Sequence, residues 1–202
     1  MIAIVDYGVG NLFSLLCSLE SLGLKAKVTS DPAEIRSADR VILPGVGAFG
    51  DAAEKLRFSG LDTIVIEQAE HGKPLLGICL GMQLLFEKSY EYGEHEGLNL
   101  LPGVIVPMHG VIPAGLKIPQ MGWNALIQKR PHPLLKEVHE GDCVYFVHSY
   151  FASQCEDCLV ATTDYGMELT AVVAKENVMG CQFHPEKSGT VGLGILSAFS
   201  EF

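Results

Sequence analysis

The chain has 202 residues, 48% of them hydrophobic and 19% charged, enough apolar material for one well-filled globular domain over residues 1–202. Its formal net charge of −10, with no basic run and no aromatic-basic interleaving, argues against a nucleic-acid partner. No apolar stretch approaches the roughly 20 residues that span a bilayer, and no secretory pattern opens the chain, so a cytoplasmic protein without membrane contact is expected.

Residues 1–5 read as a strand. The loop Asp6-Tyr7-Gly8-Val9-Gly10-Asn11 follows, and Asn11 is placed to cap a helix with Leu12, Leu15, Leu16, Leu19 and Leu22 on one face. Phe13 occupies the third glycine position of a dinucleotide fingerprint, so nucleotide binding is rejected there. Residues 24–29 form a second strand. Asp31-Pro32-Ala33-Glu34 opens a capped helix. Residues 40–43 form a third strand. The stretch Pro44-Gly45-Val46-Gly47-Ala48-Phe49-Gly50 is too glycine-rich for ordinary helix or strand. Two helical patterns then run to about Gly72, and an apolar strand behind Pro74 passes into a short amphipathic helix after Cys79.

This β-α-β-α alternation predicts a parallel sheet with helices on both faces. Ligands of such sheets bind beyond the carboxyl ends of the strands, which places the Asp6 loop, the Pro44 loop and Cys79 on one edge. From about residue 88 the pattern changes. Residues 89–99 read as a polar loop, and short strands follow at 104–108, 123–128, 144–147, 159–163, 168–174 and 178–183, as in an antiparallel region. A last helix spans about 192–199. The six cysteines suit reduced thiols. Cys155-Glu156-Asp157-Cys158 is an isolated CxxC without a second pair, and reads as a surface loop. The seven histidines lack metal spacing, and neither metal nor cofactor is expected.

Gly77-Ile78-Cys79-Leu80-Gly81 has the Gly-x-nucleophile-x-Gly spacing of a strand that turns at once into a helix. A residue without Cβ relieves crowding at such a turn. The helix N-terminus favours thiolate over thiol, and the Leu80 N–H is placed to hold an oxyanion. Cysteine alone is as readily a small core hydrophobe. A base shifts the balance: His184-Pro185-Glu186 puts an imidazole after an apolar strand with a carboxylate two residues on, the remainder of a Cys-His-Glu triad.

With both motifs placed, the chain resembles the class I, triad-type glutamine amidotransferases, whose fold is flavodoxin-like or Rossmann-like: a parallel-to-mixed sheet, helices on both faces and a small antiparallel extension. Asp6-Tyr7-Gly8-Val9-Gly10-Asn11-Leu12, Pro44 to Gly50, Met121-Gly122-Trp123-Asn124, Tyr145 to Tyr150 and Pro185-Glu186-Lys187-Ser188 resemble the glutaminase subunits of imidazole glycerol phosphate synthase in particular. The likeness runs from Ile4 to Ser188. It departs at Gln120, where that family commonly has His.

The resemblance implies that Cys79 attacks the side-chain amide of L-glutamine, that His184 activates the thiol and protonates departing ammonia, and that Glu186 orients His184. It gives the oxyanion to the N–H groups of Leu80 and Val46, and the substrate to Gly47, Gln83, His148, Ser149 and Tyr150. It implies a heterodimer with a (β/α)8-barrel cyclase that receives the ammonia, with Trp123, Lys187, Asn11 and Tyr145 at the interface. Another class I amidotransferase subunit, or a silent regulatory partner on the same fold, remains open at this point.

Overall fold

The computed structural model describes residues 1–202. Its first half alternates as β1 (Ile2–Val5), α1 (Leu12–Ser21), β2 (Ala26–Thr29), α2 (Pro32–Ser37), β3 (Arg40–Gly45), α3 (Phe49–Phe58), α4 (Leu61–Glu70), β4 (Leu75–Cys79) and α5 (Leu80–Leu84). The second half holds β5 (Lys88–Ser89), β6 (His95–Glu96), β7 (Val104–Pro107), β8 (Gln120–Gln128), β9 (Cys143–His148), β10 (Tyr150–Ser153), β11 (Leu159–Asp164), β12 (Glu168–Lys175), β13 (Val178–Cys181) and α6 (Gly189–Phe199).

Nine strands make one mixed sheet in the order β2-β1-β3-β4-β13-β12-β11-β8-β9. The run from β2 to β13 is parallel. From β13 onward each neighbour is antiparallel. A second, four-stranded sheet has the order β10-β7-β5-β6. No helix is long and apolar enough to cross a membrane.

Successive residues of a strand point to opposite faces, and the core follows that rule. Ala3, Val5, Val41 and Leu43 pack with Leu56 of α3 and Val65 of α4 on one face. Ile2, Ile4, Ile42 and Leu76 pack with Leu15 and Leu19 of α1 and Ile195 and Leu196 of α6 on the other. Both faces of the parallel run are therefore covered, which is why β1, β4 and β13 are apolar at every position; the edge strand β2 keeps Lys27 exposed. The α2 start is as expected: Asp31 accepts from the Ala33 N–H at 2.8 Å, with Pro32 in the first turn.

Several local expectations change. Asn11 precedes α1 but makes no side-chain cap. Pro44 and Gly45 extend β3, and Phe49 and Gly50 open α3, so only Val46, Gly47 and Ala48 lie between the elements. Helix α5 is buried along its whole length instead of amphipathic, because β3 lies against it as well as its own strand. The polar stretch 89–99 contains a short pairing of β5 with β6. Strand β8 begins three residues before the expected 123, so the whole of Met121-Gly122-Trp123-Asn124 lies within it. Strand β10 was not expected; one residue, Ser149, separates it from β9, and there the chain passes from the large sheet to the small one. Helix α6 starts at Gly189. Cys155 and Cys158 are buried in the core, not on the surface.

Candidate active site

Cys79 ends β4 and stands immediately before α5 with φ 54° and ψ −113°. Positive φ at a residue with a Cβ is strained, and such strain concentrates where chemistry is done. The flanking glycines make the turn possible. A Cβ on Gly77 would lie 2.6 Å from Met82 Cα, and one on Gly81 would lie 1.8 Å from the Leu43 carbonyl oxygen. Helix α5 therefore presses directly on its own strand and on β3.

Strand β13 lies parallel beside β4, pairing Cys181 with Ile78. Three residues past its end, His184 comes back to the nucleophile. Its Nδ1 donates to Glu186 Oε1 at 2.8 Å, and both side chains are almost fully buried, at 3% and 2% exposure. Burial by itself would lower the His184 pKa. Hydrogen bonding and charge from Cys79 and Glu186 outweigh it and lift the imidazole to about 10. The arrangement keeps a charged imidazole beside the Cys79 sulfur. The backbone frame around His184 is also fixed: its N–H donates to the Tyr145 carbonyl at 3.0 Å, and Ser188 Oγ donates to its carbonyl at 2.6 Å.

A cavity of about 290 Å³ opens over the sulfur. That is at the small end of the roughly 300–1,000 Å³ range of small-molecule sites. Val46, Gly47, Cys79, Leu80, Gln83, His148, Ser149, Tyr150 and His184 all line it, so every residue assigned to substrate or oxyanion reaches it. Gly47 takes φ 96°, a conformation that suits glycine at the rim. Glu186 stays behind His184, outside the cavity.

The expected interface residues lie elsewhere. Met121 and Trp123 on β8 are 64% and 56% exposed, and Trp123 packs edge-on against Tyr145 of β9 with ring centroids 6.1 Å apart. Lys187 is exposed beside the triad carboxylate, and Asn11 is half-buried in the loop before α1. Gln120 is fully buried opposite His148, and its amide reaches over Gly122 to Asn124 Oδ1 at 3.0 Å. His148 donates from Nδ1 to the Tyr150 carbonyl at 2.8 Å. Burial pushes its pKa down to about 4, with the His184 charge adding to the effect against the Tyr150 bond.

Two polar residues at or behind this cavity escaped the sequence reading. Glu91, in the polar stretch after α5, lines the cavity and accepts from the Phe49 N–H at the start of α3 at 2.6 Å. Burial raises its pKa, against that hydrogen bond. Nothing in the sequence distinguishes Glu91 from neighbouring Glu87, Glu94 and Glu96. The other is Gln182, whose Nε2 lies 3.8 Å from Cys79 Sγ. Its place directly after β13, in the same short stretch as His184, was the available signal.

The family model of glutamine amidotransferase class-I matches residues 3–199. The chain is 51% identical over 203 residues to the imidazole glycerol phosphate synthase subunit HisH of Wolinella succinogenes, covering 100% of this chain and 99% of that protein. It is 52% identical over 202 residues to the HisH subunit of Caldanaerobacter subterraneus subsp. tengcongensis, covering 100% and 98%. The chain belongs to the class-I glutamine amidotransferases, within them to the HisH family. Among solved structures, a glutamine amidotransferase superposes with TM-score 0.76 at 19% identity over 99% of this chain and 100% of its own. PurLQS from Thermotoga maritima gives TM-score 0.76 at 22% identity over 99% and 97%. Those two likenesses speak for the amidotransferase fold alone.

Proposed function

We propose that this HisH-family chain, acting as one domain over residues 1–202, hydrolyses glutamine to glutamate and ammonia and passes the ammonia to a synthase subunit. The observation that carries the proposal is Cys79, strained at a helix N-terminus and facing a buried His184–Glu186 pair in one small cavity.

The chemistry follows from the atoms present. Cys79 Sγ attacks the carboxamide carbon of glutamine, and the developing oxyanion meets the N–H groups of Leu80 and Val46. As the C–N bond breaks, the His184 imidazolium gives its proton to the departing nitrogen, which leaves as ammonia. A water then attacks the thioester carbon, His184 takes its proton, and glutamate leaves with the thiolate–imidazolium pair restored. Glu186 keeps the imidazole in one tautomer and orientation. At the amino-acid end, Glu91 has one carboxylate oxygen, Oε1, without a protein partner, and the other held by Phe49. It and Gln83 suit the α-ammonium group, while Gly47, Ser149 and Tyr150 close around the remainder.

Ammonia released into neutral water becomes mostly ammonium and loses its nucleophilicity. A partner that takes it directly is therefore part of the reading. The HisH relatives are named as subunits of imidazole glycerol phosphate synthase. The partner we propose is the (β/α)8-barrel cyclase subunit of that enzyme, which makes imidazole glycerol phosphate and an aminoimidazole carboxamide ribonucleotide in histidine biosynthesis. Exposed Trp123, packed on half-buried Tyr145, supplies an aromatic anchor for the contact, and Lys187 and Asn11 are assigned to the same interface. The setting is the cytoplasm, where the thiols stay reduced. The test is trapping with a glutamine-like electrophile in the presence of the cyclase. A single adduct on Cys79, with the loss of glutamine-dependent but not ammonium-dependent synthesis, is expected. An intact Cys79, or loss of both reactions together, overturns the proposal.

A further inference from the structure

Two buried side-chain amides, Gln83 and Gln182, connect the cavity wall to Cys79. Gln182 is completely buried, and its Nε2 lies 3.8 Å from Cys79 Sγ, a hydrogen-bonding separation for an acceptor as large as sulfur. An amide can be turned either way, so which end faces the sulfur has to come from its other partners. Here they decide it. Gln182 Oε1 accepts from Gln83 Nε2 at 2.9 Å. Gln83 cannot be turned in its place, because the same Nε2 also donates to the Tyr150 carbonyl at 3.1 Å. The Tyr150 carbonyl is further fixed by His148 Nδ1 at 2.8 Å. With both Gln83 protons committed, its oxygen faces away from Gln182, and the Gln182 NH2 is left for the sulfur.

We propose that Gln182 is a catalytic residue: its amide N–H donates to the Cys79 sulfur, stabilises the negative charge of the attacking form, and is aimed by Gln83. This rests on the reading of Cys79 as the nucleophile. A hydrogen bond to an ionised sulfur is worth more than one to a neutral thiol, so the contact favours the thiolate state. Gln182 thus acts on the sulfur from a direction other than that of His184, and does so without a charge of its own. That matters chemically. A second cation near Cys79 would oppose the imidazolium, whereas a neutral donor lowers the energy of the thiolate without adding a charge. Gln83 is then both a wall of the substrate pocket and the positioning residue for Gln182. Glutamine seated against Gln83 Oε1 would tighten the amide that holds the nucleophile.

The test uses the full chain with Gln182→Met, which keeps length and volume but has no N–H. Alkylation of Cys79 by iodoacetamide is followed against pH by peptide mass spectrometry, which separates it from exposed Cys17 and Cys143. The inflection of the Cys79 profile is expected to rise by about one pH unit, making alkylation about tenfold slower below it. In complex with the partner, kcat for glutamine should fall about tenfold, with KM changed by less than about twofold. A folded Gln182→Met variant with the wild-type inflection overturns the assignment. A purely structural role would lower the melting temperature and leave the inflection in place. Should Gln182→Met not fold, Gln83→Met leaves the Gln182 amide present but unaimed. It should give a smaller upward shift together with a raised KM, and an unchanged inflection there overturns the assignment equally. If Cys79 of the wild-type chain is not alkylated faster than Cys17 and Cys143, or glutamine does not protect it, the nucleophile reading itself falls.

Discussion

The hydroxyl of Tyr7 donates a 2.8 Å hydrogen bond to the carbonyl of Pro44. Tyr7 is buried in the loop after β1, and Pro44 is the penultimate residue of β3, so the bond pins the base of the Val46–Gly47 segment to the strand beside it. The ring stands close to the nucleophile, and its own ionisation is suppressed first by burial and then by the Cys79 charge. With the Pro44 carbonyl held, the Val46–Gly47 segment at the cavity rim leaves β3 from a fixed point. Tyr7→Phe removes only the anchor. It should lower stability by about 1 kcal/mol. It should also lower the rate of glutamine hydrolysis, because Val46 and Gly47 at the cavity rim lose their fixed base. Urea unfolding and a coupled glutamate assay read both. A wild-type rate in the folded variant would show that the placement of this segment does not depend on the Tyr7 bond.

The triad residues should separate by role. Cys79→Ala is expected to abolish glutamine hydrolysis while the complex still uses added ammonium. His184→Asn should be nearly as damaging, because it removes both the activation of the thiol and the proton for ammonia. Glu186→Gln should be milder, at about 10²-fold in kcat, since an amide can still accept from Nδ1 but no longer supports the imidazolium charge. Steady-state kinetics on the three folded variants decide this. Equal and total loss in all of them would give Glu186 a direct chemical role.

The two buried histidines predict opposite pH slopes in stability. His148 has its folded pKa depressed to about 4 from about 6.5, so its contribution is full above about 6.5 and is lost as pH falls through 4. His184 has its folded pKa raised to about 10, so its contribution is full below about 6.5 and is lost as pH rises through 10. The melting temperature should therefore be highest near neutral pH. His148→Gln should flatten the acid limb, an effect on the order of 3 kcal/mol at most. His184→Asn should flatten the alkaline limb. Differential scanning calorimetry from pH 4 to 10 is the measurement, and a variant with an unchanged limb removes that histidine from the account.

Trp123 should matter to the partner and not to the fold. It is more than half exposed and rests against Tyr145 alone among the aromatic rings. Trp123→Ala should weaken cyclase binding by about 2 kcal/mol, close to thirtyfold in Kd, with the melting temperature almost unchanged. Calorimetric titration with wild-type affinity would place the energetic centre of the contact elsewhere.

Much of the site was legible because its chemistry is written in short local stretches. Gly77 and Gly81 are required by contacts within one turn, and His184 and Glu186 are two residues apart. The apolar runs of β1, β3 and β4 are equally local, since strands covered on both faces have no polar positions. What escaped depends on distant parts of the chain. Glu91 becomes a cavity residue only because the second sheet folds back on α3. Strand β10 is hidden behind a single residue at which the chain changes sheets. Glu156 and Asp157 made the two cysteines around them look solvated, yet both thiols point inward. Helix α5 has no solvent-facing stripe to read, because β3 and β4 pack against it and its one polar side chain, Gln83, is buried toward the cavity.

Strand β13 lies between β4 and β12 in the large sheet, although it follows every other strand along the chain. A ribosome exposes residues 1–175 before the wedge that joins the two halves of the sheet exists. Until it inserts, β4 and β12 each present an open edge, and neither Gln182 nor His184 has reached Cys79. The nucleophile is thus synthesised roughly a hundred residues ahead of the groups that would activate it. A nascent or truncated chain ending before β13 carries its cysteine without Gln182 or His184 to act on it. The same delay ties assembly to contacts remote in sequence, which slows folding, and leaves the incomplete chain with unpaired strand edges for chaperones to cover.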